Sequence, residues 1–360
     1  MNFAIFGAQG IALGTYESIH KLYPSRKITC FLVSERGNNP EILSGLPVIE
    51  LSGFSDRLSN EEKDNTEILI ATPENVMDDI EKSLDEHGFH CHVRMTSLRL
   101  GQLMSYAYNA GGIFRSVSSL PVGYHKADVH MYMAKFYKDK PLTSDYIAPE
   151  WITPIQVGAA LCEERVADIT DDTGDNISRK NVNYSELTAL YWIWKNRLMD
   201  DAGYHDEYYG LVHYRRILEL SEDDILRLSD NDVDVVLPYP MPYEPDIESH
   251  HTRYLKNEDW NAVIRAVAEV HPEYVCELNK IIKQRYLYNY NIVLARKNVL
   301  EKYCDWLFPI LERVEELSIP KGSERADRYI GYVGETLTTV YFMANKENLN
   351  IFHAPCRFLI

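Results

Sequence analysis

At 360 residues the chain has length for two domains, and its hydrophobic fraction of 45% supplies a globular core. A formal net charge of −17 excludes broad nucleic-acid binding and a strong polybasic membrane anchor, both of which need a basic face. The six cysteines are scattered with no CxxC pair, which argues for reduced thiols and against a structural zinc site.

Phe3–Phe6 reads as an apolar strand, followed by Gly7, Gly10 and Gly14 and a helix to Leu22. Ile28–Val33, Pro47–Ile49 and Ile68–Ala71 read as further strands, the last leading into a helix over 73–87. Strands alternating with helices predict a parallel sheet with right-handed crossovers. The GAQGIALG turn follows a strand and opens a helix, where backbone N–H groups meet phosphates. Its spacing is GxxGxxxG rather than GxGxxG, so a turn needed only for tight strand–helix packing is the competing and stronger explanation. Glu35 follows the second strand, where an acid would meet a ribose.

Residues 97–127 lose periodicity and gather Gly, Ser and Pro. They are read as the join between a Rossmann-like domain (1–120) and a second α/β domain (121–360), with Gly111, Gly112 and Pro121 as hinge points. No apolar run reaches membrane-span length, and MNFAIFGAQG begins as a strand rather than a secretory signal. The expectation is a cytoplasmic protein, with peripheral association at the inner face of the plasma membrane left open.

The second part carries the chemistry. After the segment ITPIQVGAAL comes an acidic loop, DDTGDNIS, with Asp171, Asp172, Asp175 and Asn176. Asn181 or Asn183 would cap a helix Ser185–Arg197 with Glu186 in its first turn. The strand YYGLVHYRRIL follows, crowding His213, Tyr214, Arg215 and Arg216 at its end. Paired guanidiniums suit phosphate oxygens, and nearby carboxylates suit a sugar, a base or a metal. Pairing of Arg215 and Arg216 with surface acids such as Glu219 is the competing structural explanation. An acidic helix 221–229, the strand DVDVVLPYP and helices over 258–269 and 272–285 follow. The chain closes with the strand NYNIVLARK, a helix 298–316, a helix 331–345 and a strand NIFHAPCRF.

IQVGAAL, DDTGDNIS, ELTALYWIWKN, GLVHYRR, KYCDWLF and RYIGYVGETL stand in an order that resembles one bacterial family over about residues 128–358. These are the capsular and exopolysaccharide glycosyltransferases whose domain was long known only as one of unknown function. The first domain looks like the small Rossmann-like module sometimes fused ahead of them. The resemblance implies a GT-A-like mixed α/β domain binding a nucleoside-diphosphate sugar at the C-terminal strand ends. It implies hexosyl transfer, galactofuranosyl or galactosyl among the options, from a UDP-sugar to a lipid-linked oligosaccharide in surface-polysaccharide assembly. A non-catalytic sugar-nucleotide-binding or scaffold subunit is the alternative. An NAD-dependent oxidoreductase is weaker, because no His/Lys acid–base pair stands beside the glycine turn.

Many GT-A enzymes hold Mn or Mg with an Asp-x-Asp where this chain has HYRR, so Arg215 and Arg216 are expected to neutralise the leaving diphosphate themselves. Asp171, Asp172 and Asp175 are the candidates if a metal is present. The literal Asp232-Val233-Asp234 precedes a strand and reads as solvated. Lys135-Phe136-Tyr137 stands where the family pattern has a Thr-His-Lys-like strand end. Donor contacts are expected from His213, Tyr214, Asp171, Asp172, Asp175, Asn176, Asn181, Glu186 and Arg328. Glu335 in GYVGET, beside Gly331 and Gly334, is the expected base of an inverting transfer. His250 and His251 are read as part of an acceptor lip.

Overall fold

The computed structural model describes residues 2–143, 145–199 and 206–360. Two sheets organise them. The first has six strands in the order 42–43, 46–50, 28–33, 2–6, 66–70, 92–94. All of its pairings are parallel except the short hairpin of 42–43 with 46–50. The order reverses between strands 2–6 and 66–70, so their C-terminal ends open a crevice at this switch point.

The second, nine-stranded sheet is mixed. Its main path runs 351–354, 235–238, 293–296, 207–213, 128–135, 152–156, 169–170. Strand 207–213 sits centrally, parallel to 128–135 and antiparallel to 293–296. Helices 187–193, 257–270, 297–317 and 329–344 cover one face around a core that includes Leu190, Trp306, Leu307 and Phe342. Residues such as Met131, Tyr208, Val236 and Phe352 face the other side, because side chains alternate along a strand. The protein is thus α/β, with one mostly parallel sheet and one mixed sheet.

Three local readings are corrected. Residues 97–111 form a helix rather than a loose join, burying Leu100, Met104, Ala107 and Tyr108 at helical spacing. Thr96 caps it by accepting from the Arg99 N–H, and Gly112 ends it with φ 67°, a left-handed cap rather than a hinge. Gly101 lets this helix lie on Pro355, since a Cβ there would come within 2.6 Å of the proline ring. Asn181 and Asn183 do not cap the next helix. They lie in a short helix of their own, 181–184, and Ser185 at φ 51° breaks the chain before helix 187–193. The final segment divides at Pro355 into strands 351–354 and 356–358.

Helix 97–111 also joins the two sheets. Tyr108 donates to the Pro240 carbonyl (3.1 Å), Tyr239 donates to Ser105 Oγ (2.9 Å), and Ser97 Oγ accepts from the Phe358 N–H (2.8 Å). Tyr108, Tyr239, Tyr286 and Phe114 pack edge-to-face or tilted around it. At a second point Glu244 accepts from the backbone and hydroxyl of Ser44, and Arg285 bridges Glu17 and Glu244 at 2.7 and 2.8 Å.

Candidate active site

The two sheets present their strand ends to a common cleft of about 710 Å³. From the first sheet come Gly7, Gln9 and Gly10 after strand 2–6, Glu35 after strand 28–33, and Thr72 after strand 66–70. From the second come Glu186, His213, Arg216, Asn289, Tyr290, Arg328 and Glu335.

The HYRR segment is a hairpin, not the end of one continuous strand. His213 closes strand 207–213, Tyr214 and Arg215 make the turn, and Arg216 opens strand 216–218 opposite His213. Directly opposed residues share a face of a sheet, so His213 and Arg216 both reach the cleft. The intervening pair does not. Tyr214 hydrogen-bonds Asp139, and the Arg215 guanidinium lies beside the Tyr214 ring at 5.3 Å and faces the same carboxylate. The expected double-arginine cluster is therefore split, and Arg216 finds its second cation in Arg328.

Glu335 lies on helix 329–344, one turn beyond Gly331, which also lines the cleft. Asn289 Nδ2 donates to its Oε2 at 3.3 Å, and the Tyr290 backbone N–H donates to the same carboxyl. Burial, with the Glu186 charge adding to it, pushes Glu335 up to about 8, while Arg216 pulls the other way. Glu186 accepts from Asn291 Nδ2 at 2.6 Å. His213 is held below its ordinary value by burial and is neutral at pH 7. Its Nε2 is buried without a hydrogen bond and stands 3.8 Å from Glu186 Oε1. Arg216 lies over the Tyr290 ring at 4.4 Å, and Arg328 donates from Nε to Ser185 Oγ at 3.0 Å.

The surrounding backbone is strained. Ser185, Tyr290, Asn291 and Arg328 all have positive φ without being glycine, between 51° and 73°. Each such residue costs about 1–3 kcal/mol, and such residues gather at sites where side-chain placement outweighs backbone comfort. Tyr243, Asn289 and Tyr290 were not singled out from the sequence. The Tyr-Asn-Tyr-Asn run over 288–291, polar where a buried strand is about to start, is the signal that marks the last two.

The acidic loop lies elsewhere. Asp171 is fully buried and accepts four hydrogen bonds: Gly158 N (2.8 Å), Ala159 N (3.0 Å), Ser178 Oγ (2.5 Å) and Thr188 Oγ1 (2.6 Å). Its oxygens are committed to holding the loop together. Asp172 accepts from Thr170 and Arg165, Asp175 from Tyr191, and Asn176 bonds within its own turn. Asn181 donates to the Ser185 carbonyl and Thr188. None of these residues lines the cleft. Both Asp171 oxygens are taken by protein donors, and among the described residues no group of three or more His, Cys, Asp or Glu gathers. Replacing Asp171 by Ala should cost about 3 kcal/mol or more by stranding four buried donors. Denaturant unfolding would show it as a lowered midpoint, whereas an unchanged midpoint would return Asp171 to the ligand candidates.

Asp232 and Asp234 both pair with Arg296, at 3.5 and 3.7 Å, at the opposite end of the sheet's strand 235–238. His250 stacks on Tyr243 (3.6 Å) and His251 on Trp260 (4.3 Å), and neither lines the cleft. Two glycines of the N-terminal turn, Gly7 and Gly10, have a packing reason, whereas Gly14 would accept a Cβ at ordinary contact distance. A Cβ on Gly7 would meet the Ala71 carbonyl at 2.4 Å, one on Gly10 the Tyr243 ring at 3.1 Å, and one on Gly14 the Met104 sulfur at 3.5 Å. Gly14 does not reach the cleft.

The family described as Domain of unknown function (DUF4422) matches residues 136–346. The chain belongs to this family. Among solved structures, an apo structure of the WbbM bifunctional glycosyltransferase is similar, with a TM-score of 0.54 and 27% identity over 64% of this chain. The likeness covers 45% of that chain, so this protein spans less than half the length of the structure it matches. No curated protein matches it. His213, Arg216, Arg328 and Glu335 lie within the DUF4422 match, while Gly7, Gly10 and Glu35 precede it. Among the described residues no helix is long and apolar enough to cross a membrane.

Proposed function

We propose that this protein is an inverting glycosyltransferase acting in the cleft between the two sheets. The observation that carries the reading is the convergence there of a half-buried carboxyl of raised pKa, Glu335, with two cations, Arg216 and Arg328. The likeness to a glycosyltransferase structure and the ordered motifs of the second part support it.

Arg216 and Arg328 face the diphosphate of the donor. As the bond from the anomeric carbon to the phosphate oxygen breaks, the negative charge that appears on the nucleoside diphosphate meets fixed guanidiniums. Glu335 takes the proton from the acceptor hydroxyl while that oxygen bonds the anomeric carbon from the opposite side. The neutral His213 and the Glu186 carboxylate both offer acceptor atoms, which suits sugar hydroxyls. The donor is a UDP-hexose, with galactofuranose or galactose as the sugar, and the acceptor a lipid-linked oligosaccharide of surface-polysaccharide synthesis. Both belong to this proposal and rest on the family resemblance.

A panel of UDP-, GDP- and dTDP-hexoses, with nucleotide release measured with and without acceptor, tests the reading. Absence of release from every donor would favour a non-catalytic binding subunit. The hairpin geometry adds a sharper test. Arg216→Ala should weaken donor affinity or turnover by about 10–100-fold, the worth of a charge-assisted contact, while Arg215→Ala should leave both near normal. Equal losses in the two variants would contradict the split. Turnover should also survive chelation by EDTA, and complete loss restored by manganese would refute that expectation.

A further inference from the structure

The first sheet lies outside the DUF4422 match, yet it supplies one wall of the cleft. Its contribution comes from the crevice where parallel sheets bind ligands, beyond the strand ends and at the switch point between strands 2–6 and 66–70. Helix 10–22 begins there with Gly10 and Ile11 on the cleft. Its N-cap, Gln9, makes no side-chain cap to the first N–H groups; its Nε2 donates instead to Asn39 Oδ1 at 2.7 Å. No acidic residue occupies the first turn. Those donors and the positive end of the helix dipole are thus left for an anion.

A second observation is independent of the helix. Asn289, 8% exposed and lining the same cleft, has its Oδ1 buried without a partner, as does the Thr72 hydroxyl. Polar atoms in this state are uncommon in folded proteins and mark places where a ligand or water completes the bonding. Contacts also connect this wall to the proposed base. Gly10 abuts the Tyr243 ring, Asn289 Nδ2 donates to the Tyr243 hydroxyl at 3.1 Å, and the same amide donates to Glu335. The helix start and Glu335 are therefore separated by two side chains. Glu35, also on the cleft, is a carboxylate placed to accept from vicinal hydroxyls.

We infer that the N-terminal module binds the nucleoside-diphosphate half of the glycosyl donor, with the start of helix 10–22 on a phosphate and Glu35 on the ribose hydroxyls. The inference rests on the transferase reading above and makes the module part of the reaction site. The sugar is then directed toward Glu186, His213 and Glu335, and Arg216 and Arg328 face the diphosphate from the other wall.

Calorimetric titration of the full chain with UDP, GDP, dTDP and NAD, beside parallel assays of turnover, tests it. Gln9→Asp is the decisive variant. Asp is a better N-cap than Gln and should hold or raise the melting temperature, yet its charge would occupy the phosphate position. UDP, or whichever diphosphate binds best, should lose about tenfold or more in affinity in Gln9→Asp and in Glu35→Gln, with folding intact. Unchanged affinity in both, with turnover present and Arg216→Ala impaired, would overturn the inference and leave the transferase standing. Tighter binding of NAD than of any diphosphate would also overturn it. Neither diphosphate binding nor turnover would bring down both.

Discussion

Replacing Glu335 by Gln is expected to lower turnover by about 10²–10⁴-fold while nucleotide affinity stays near normal, because the amide keeps the shape and loses the basicity. The pH dependence should carry the same signature. With the carboxyl at about 8, only about a tenth is ionised at pH 7 in the ligand-free chain, so kcat/KM should climb through the neutral range and level off above pH 8. That limb should vanish in Glu335→Gln. A product of retained anomeric configuration, or a limb that survives the substitution, would remove Glu335 from the role.

The same residue links activity to stability. An ordinary glutamate ionises near 4.5, whereas the folded protein holds this proton to about 8. Between these values the folded chain keeps a proton that the unfolded chain has lost, so the contribution present below pH 4.5 is progressively lost as pH rises to 8. Glu335→Gln does not titrate and escapes this loss. The variant should match the parent at pH 4 and exceed it by roughly 2–4 kcal/mol at pH 8, allowing for partial solvation. A destabilised variant at pH 8 would mean that the carboxylate is worth more to the fold than its burial costs. A gain in stability with a loss of turnover is the pattern expected where a site keeps a charge in an unfavourable place.

Much of the architecture is legible in local patterns. The apolar runs at 3–6, 28–33 and 68–70, each bounded by turn residues, appear as parallel neighbours in one sheet. Glu335, Glu186, His213 and Arg328, picked out by residue type and motif, are found on one cleft. What failed to show was anything set by register or by distant partners. A sequence cannot reveal that HYRR turns after His213, and this register alone decides that Arg216 faces the cleft and Arg215 does not. Nor can it reveal that Asp171 is saturated, because its four donors come from positions 158 to 188. Helix 97–111 was hidden by its glycines, although Leu100, Met104 and Tyr108 keep helical spacing. Gly101 breaks no helix there. It answers the close approach of Pro355, a contact between residues far apart in the chain.

That helix governs the second large effect. A chain beginning at residue 125 is expected to be poorly soluble, whereas one beginning at residue 96 should fold but lose nucleotide affinity. The first truncation strips Leu100, Met104 and Tyr108 from Tyr239 and its neighbours and removes the Ser116 bridge to His353. Burial of a large apolar side chain contributes about 1.5–3 kcal/mol, so three such losses amount to roughly 5–9 kcal/mol. A whole domain is usually stable by only about 5–15 kcal/mol, and the exposed aromatic face would also invite association. The chain beginning at residue 96 keeps the Thr96 cap and the full helix against the second sheet. It lacks the glycine turn and Glu35, so Arg216 and Arg328 would face the diphosphate alone. Solubility, a cooperative melt and UDP titration of the two chains separate the outcomes. A soluble chain from residue 125 with full donor affinity would show that the N-terminal module contributes neither to the core nor to the cleft.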